Sequence, residues 1–134
     1  MEENILEIVE KSCRIHRDVI AVKYLSHREI VEKSYGDLWD DIRKTAVILR
    51  NNGLCGTHIA LVGSSSYEWI CAYMAILFTG NTAVPLDANL SAPELHELLN
   101  RSGSTALFCG ASKKDVITEL TDDCPEMNIV FTME

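Results

Sequence analysis

A chain of 134 residues has room for one domain, and 47% hydrophobic residues are enough to build a core. Its 12 Lys and Arg against 20 Asp and Glu leave a net charge of −8. That acidity argues against a nucleic-acid surface, which needs clustered basic side chains to neutralise phosphates. The longest apolar stretch, Trp69 to Phe78, is ten residues, well short of the roughly 20 a membrane span requires.

Residues 1–12 mix Glu2, Glu3, Glu7 and Glu10 among apolar positions, the reverse of a basic leader followed by an apolar core. A soluble, cytoplasmic protein is expected. The spacing of Ile5, Leu6, Val9 and Cys13 predicts a short amphipathic helix over 3–16. Val19–Leu25 and Arg28–Lys33 read as strands joined by a tight break at Ser26-His27, a β-hairpin without an Asn-Gly signal. From Ser34 the period changes: Leu38, Ile42, Ala46 and Leu49 fall on one helical face, and Gly53 is a natural stop.

Thr57–Val62 is a β-branched strand, broken by Gly63-Ser64-Ser65-Ser66. Tyr67–Thr79 is a helix apolar nearly all round, which must be covered on more than one face, and Gly80 ends it. Strands over Thr82–Leu86, Thr105–Cys109 and Asn128–Phe131 alternate with helices over Ser91–Arg101 and Ser112–Leu120. The alternation predicts an α/β fold: a mostly parallel sheet with helices on both faces, preceded by the N-terminal helix and the hairpin. Ser34/Asp37, Ser65/Glu68, Ser91/Glu94 and Ser112/Asp115 each fit the S-x-x-[D/E] pattern of a capped helix start.

Sites are harder to find. Gly63–Ser66 joins a strand to a helix, where α/β folds often bind phosphate, but it is neither G-x-G-x-x-G nor a loop ending in Gly-Lys-Ser/Thr. Ser102-Gly103-Ser104-Thr105 lacks a second glycine and a lysine and reads as a helix-to-strand turn. His96-Glu97-Leu98-Leu99 meets Asn100 where a zinc protease needs a second histidine. His16, His27 and His58 sit near element ends, and Lys113-Lys114 reads as a solvated helix start. No G-x-S-x-G nucleophile turn occurs. The five cysteines, Cys13, Cys55, Cys71, Cys109 and Cys124, are odd in number and form no C-x-x-C, so unpaired thiols are expected.

The order of Tyr35-Gly36-Asp37-Leu38-Trp39, Ile59-Ala60-Leu61-Val62-Gly63, Ser66-Tyr67-Glu68-Trp69-Ile70, Ala72-Tyr73-Met74-Ala75-Ile76 and Gly80-Asn81-Thr82-Ala83-Val84-Pro85-Leu86-Asp87 resembles the AMP-binding family of adenylate-forming enzymes. Those enzymes carry a T-Y-x-E-L helix, a G-D-x-V-A-I strand, an N-x-x-E-W/F helix and then V-P-L-D. Within the family, Ser-Tyr-Glu-Trp-Ile and Ala-Val-Pro-Leu-Asp are most similar to bacterial long-chain fatty acid–CoA ligases. Leu90-Ser91-Ala92-Pro93-Glu94-Leu95 and Leu98-Leu99-Asn100-Arg101-Ser102 resemble the family's P-x-E-x-L helix with its I-L-x-D-S end. Two departures stand out: Cys55-Gly56-Thr57-His58 replaces the usual G-D, and Ser64-Ser65 replaces a common Asn.

The resemblance implies that residues 1–134 are a single N-terminal α/β segment of an AMP-forming acyl-CoA synthetase, ending before the ATP-binding loop. Such a ligase joins a carboxylate to ATP and then passes the acyl group from AMP to coenzyme A. ATP, Mg²⁺ and coenzyme A are therefore implied for the longer parent. The family's T-S-G-T-T-G-x-P-K loop does not occur in this sequence. The resemblance thus carries no catalytic, cofactor-binding or metal-binding residue to any position here, and the isolated chain is expected to be inactive. Its expected partner is the remainder of the ligase, with self-association through an apolar patch beside the Tyr67–Phe78 helix or through a bare sheet edge. Two alternatives stand beside this reading. One is an amino-acid adenylation domain of a peptide synthetase. The other is a stand-alone small-ligand or protein-binding module, whose polar groups would be Gly63–Ser66, Asp87 and Gly110–Ser112 at the strand ends.

Overall fold

The computed structural model describes residues 4–122 and 124–133. Helix α1 (Ile5–Ile15) starts at Asn4, whose side chain accepts from the Glu7 N–H at 3.0 Å while the Glu7 carboxylate accepts from the Asn4 N–H at 3.3 Å. That reciprocal cap was not among those expected. Cys13 is buried, and Leu6 and Val9 pack against the core from the same face. Strands β1 (Ile20–Ser26) and β2 (Glu29–Ser34) form the antiparallel hairpin. Ser26 pairs with Glu29, so the turn is His27-Arg28 rather than Ser26-His27. Both turn residues have positive φ, 50° and 68°. This is the left-handed pair that a two-residue hairpin of matching twist demands, made here without glycine.

Ser34 ends the hairpin and begins helix α2 (Tyr35–Asn51) through a full capping box with Asp37, both hydrogen bonds at 3.0 Å. Leu38, Ile42, Ala46 and Leu49 are the buried stripe, as their spacing predicts. Strand β3 (His58–Val62), helix α3 (Tyr67–Phe78), strand β4 (Thr82–Leu86), helix α4 (Ala92–Ser102), strand β5 (Ala106–Gly110), a 3₁₀ turn at Ala111–Lys113, helix α5 (Lys114–Thr121) and strand β6 (Ile129–Met133) complete the chain.

The four later strands lie in the order β4-β3-β5-β6, all parallel. In β3 and β5 successive side chains enter opposite cores. Ile59, Leu61, Ala106 and Phe108 join α1, α2 and α3 on one face. Ala60, Val62, Leu107 and Cys109 join Leu95 and Leu99 of α4 and Ile117 of α5 on the other. The predicted fold class, with helices on both faces and a hairpin in front, is the one observed. Helix α3 is covered by α2 and the sheet, and Ile70 is its most exposed large aliphatic side chain, at 38%.

Two of the four expected caps differ. Helix α3 is capped by Ser66, not Ser65: the Ser66 hydroxyl accepts from the Trp69 N–H at 3.1 Å. Glu68 is then one residue too early to reach back. Helix α5 has no side-chain cap, because the 3₁₀ turn feeds directly into it and leaves Lys113, already helical, at the boundary. Ser91 and Glu94 form the expected box at α4, and Gly103 closes that helix with φ 61°.

Candidate functional site

The strand order fixes where a site can form. From β3 the chain leaves through α3 towards β4, whereas from β5 it leaves through α5 towards β6. The two departures diverge between β3 and β5, and in open α/β sheets such a divergence opens a crevice at the carboxyl ends of the strands. The register pairs Val62 with Cys109, which sets Gly63 beside Gly110 at the mouth of that crevice. A side chain at Gly63 would come within 3.1 Å of the Met133 methyl and 3.4 Å of the Gly110 nitrogen. Gly63 therefore lies close against Gly110 and the Met133 methyl, with little room for a side chain.

Of the sequence-nominated polar groups, Ser66 is committed to its cap. Asp87 accepts the Asn89 N–H at 2.9 Å in a local turn. Gly110 leads into the 3₁₀ turn that contains Ser112. They all lie at or just beyond the strand ends. Among the described residues, no three His, Cys, Asp or Glu side chains gather into a metal site. No step through ATP, Mg²⁺ or coenzyme A follows from these residues.

Beside the crevice lies an open groove of about 460 Å³. Phe108, Phe131 and Met133 of the sheet form its floor, and α2, the start of α3 and the hairpin form its walls. The rings of Phe108 and Phe131 stack with centroids 4.9 Å apart. On the wall, the Tyr67 hydroxyl donates to the Asp41 carboxylate at 2.5 Å. Lys33 and Lys44 hold that carboxylate from either side at 3.8 and 3.9 Å. The Lys33 ammonium also lies 5.3 Å from the Tyr67 ring centre, and Tyr24 stacks on the same ring at 5.5 Å.

Burial and the bond to Asp41 push the Tyr67 phenol far above its ordinary range. Burial likewise pushes the Cys71 thiol up to about 11. Both are uncharged near neutrality, so the groove offers neither a thiolate nor a phenolate. Sequence reasoning missed this cluster because Lys33, Asp41 and Tyr67 come from three different elements and no local spacing joins them.

Residues 9–133 match the AMP-binding enzyme family. The chain is 28% identical over 119 residues to the acyl-CoA ligase cnsG of Penicillium expansum, covering 88% of this chain and 24% of that protein. It is 30% identical over 95 residues to the long-chain-fatty-acid–CoA ligase FadD13 of Mycobacterium tuberculosis, covering 70% of this chain and 19% of that one. Multidomain peptide synthetases match as well. Among solved structures, coronafacic acid ligase of Pectobacterium brasiliense superposes with a TM-score of 0.88 at 24% identity, over 97% of this chain and 25% of that one, a likeness of fold. The chain thus spans about a quarter or less of the length of these relatives. With residues 9–133 matched to the family's model, the chain belongs to the AMP-binding enzyme family.

Proposed function

We propose that this chain is the sheet-and-helix scaffold of an AMP-forming acid–thiol ligase. In that reaction a carboxylate attacks ATP, pyrophosphate leaves, and the acyl group then passes from AMP to the thiol of coenzyme A. The carrying observation is the family match over residues 9–133, which runs from within α1 to the end of β6. Fatty acids are the proposed carboxylates, on the likeness to a long-chain-fatty-acid–CoA ligase. A cytoplasmic setting accords with the free thiols of Cys13, Cys55, Cys71 and Cys109.

The scaffold's contribution is positional. A parallel sheet with both faces buried is stiff, and groups mounted at its carboxyl ends are held in register for transfer chemistry. The chemistry itself needs phosphate-cradling and charge-neutralising groups, which the proposal assigns to segments of the ligase other than residues 1–134. Calorimetric titration of this chain with Mg-ATP is the test, and no saturable heat in the micromolar range is expected. Saturable micromolar binding would instead place a nucleotide site within these residues. The same chain continued through a T-S-G-T-T-G-x-P-K loop and the later motifs should exchange pyrophosphate into ATP when a fatty acid is supplied. Exchange driven by an amino acid instead would favour the peptide-synthetase reading.

A further inference from the structure

We propose that Asn52 is a covalent modification site: when the last turn of α2 opens, its side-chain amide cyclises onto the Gly53 nitrogen and is hydrolysed to aspartate or isoaspartate. This chemistry lies in the chain itself and is independent of the enzymatic reading.

Asn52-Gly53 is the one Asn-Gly pair in the sequence. Without a Cβ, the glycine leaves its backbone nitrogen unhindered towards the preceding side chain. In the step, the Gly53 nitrogen gives up its proton to solvent and attacks Asn52 Cγ. The new C–N bond closes a five-membered imide, and the side-chain nitrogen takes up a proton and leaves as ammonia. Water then opens the imide at either carbonyl, which gives aspartate or its isomer with the chain running through the side chain. Nothing is oxidised or reduced, and water is the sole co-reactant.

The fold holds this pair unreactive and leaves it a small opening away from reaction. Asn52 is the C-cap of α2, with φ −93° and ψ 9°. Its side-chain nitrogen donates to the Ile48 carbonyl at 2.8 Å, and the Gly53 N–H donates to the Arg50 carbonyl at 3.0 Å. Both reacting groups are thereby occupied, and a near-attack approach needs both bonds broken. Yet Arg50, Asn51, Asn52 and Gly53 are all exposed, between the buried Leu49 and Leu54. Hydrogen bonds at a helix end hold them, and such ends open at little cost compared with the whole fold. Outside its chain neighbours, no atom lies within 4 Å of where a Gly53 Cβ would sit, so the turn has room to rearrange.

The product alters a joint of the fold. A carboxylate at position 52 cannot donate to the Ile48 carbonyl, and it puts negative charge at the negative end of the α2 dipole. Two residues on, the Leu54 N–H donates to the Leu49 carbonyl, and the Leu54 carbonyl accepts from the buried Asn81 amide. The change therefore falls beside the link that Asn81 makes to the end of α3.

Peptide mapping by mass spectrometry of the folded 134-residue chain, held at mildly alkaline pH and body temperature, tests this. Asn52 should convert before any other asparagine, with a mixture of aspartate and isoaspartate as product. Its rate should lie at least about tenfold below that of the urea-unfolded chain. It should also stay flat through urea concentrations short of the unfolding transition, the mark of local opening. Asn52→Asp, which installs the product charge, should speed amide exchange at Gly53 and Leu54 at least about threefold while leaving the β3 and β5 amides unchanged. An Asn52 that persists in the folded chain while the unfolded chain converts would overturn the proposal. So would a rate that climbs with urea in step with global unfolding, earlier conversion of another asparagine, or exchange at Gly53 and Leu54 indifferent to Asn52→Asp.

Discussion

Asn81 shows how one side chain can lock three segments together. It follows the glycine that stops α3 and is only 6% exposed. Its amide nitrogen donates to the Leu54 carbonyl at 3.1 Å and to the Thr79 hydroxyl at 2.8 Å. Its oxygen accepts from the Thr57 N–H at 2.9 Å and the Thr57 hydroxyl at 3.2 Å. Replacing it with alanine would leave the part-buried Thr57 N–H and the buried Leu54 carbonyl without the Asn81 amide. Asn81→Ala is therefore expected to destabilise the fold by about 2–3 kcal/mol, read as a lower urea midpoint with an unchanged slope. A change within experimental error would mean that water replaces the amide. The role was not visible in Gly80-Asn81-Thr82, since a polar residue after a helix stop also suits a solvated turn. The opposite lesson comes from the hairpin. No glycine or asparagine marks His27-Arg28, yet strand pairing imposes positive φ on both.

At the scale of the element, local chemistry predicts well where side chain and backbone lie within one turn. Ser34/Asp37 and Ser91/Glu94 close as boxes because each partner is three residues away. Hydrogen bonds from Ser91 hold the Glu94 carboxyl below its ordinary range. A carboxyl depressed by folding contributes stability that is present above its unfolded value and lost as pH falls through the folded one. Lowering the pH from neutrality to about 3 crosses that window. Glu94→Gln, which keeps an acceptor but cannot titrate, should therefore show a smaller fall in urea midpoint over this interval than the unaltered chain. Equal falls would show that the box does not respond to protonation. Ser65 and Ser66 mark the limit of such reasoning. Both precede a helical pattern with an acid nearby, and the choice rests on which residue takes extended geometry when the crevice turn packs against Gly110 and Met133.

Over the whole molecule, burial decides how the cysteines behave. Cys13, Cys71, Cys109 and Cys124 are buried, whereas Cys55 is exposed on the loop before β3. Desolvation raises the thiols of Cys13, Cys71 and Cys109, which further slows their reaction. Titration with a thiol reagent should find one fast group in the native protein and five after denaturation. Two or more fast groups would mean that one of the cores opens readily. The fold class, the order of the elements and the family were legible in the sequence, because period and punctuation act over a few residues and each helix or strand repeats its signal several times. The α2 stripe and the alternation in β3 and β5 are instances of that redundancy. The strand order, the Asn81 lock and the Lys33–Asp41–Tyr67 cluster needed the tertiary structure. Each depends on which distant segments become neighbours, and that is settled by the simultaneous burial of two sheet faces rather than by any local spacing.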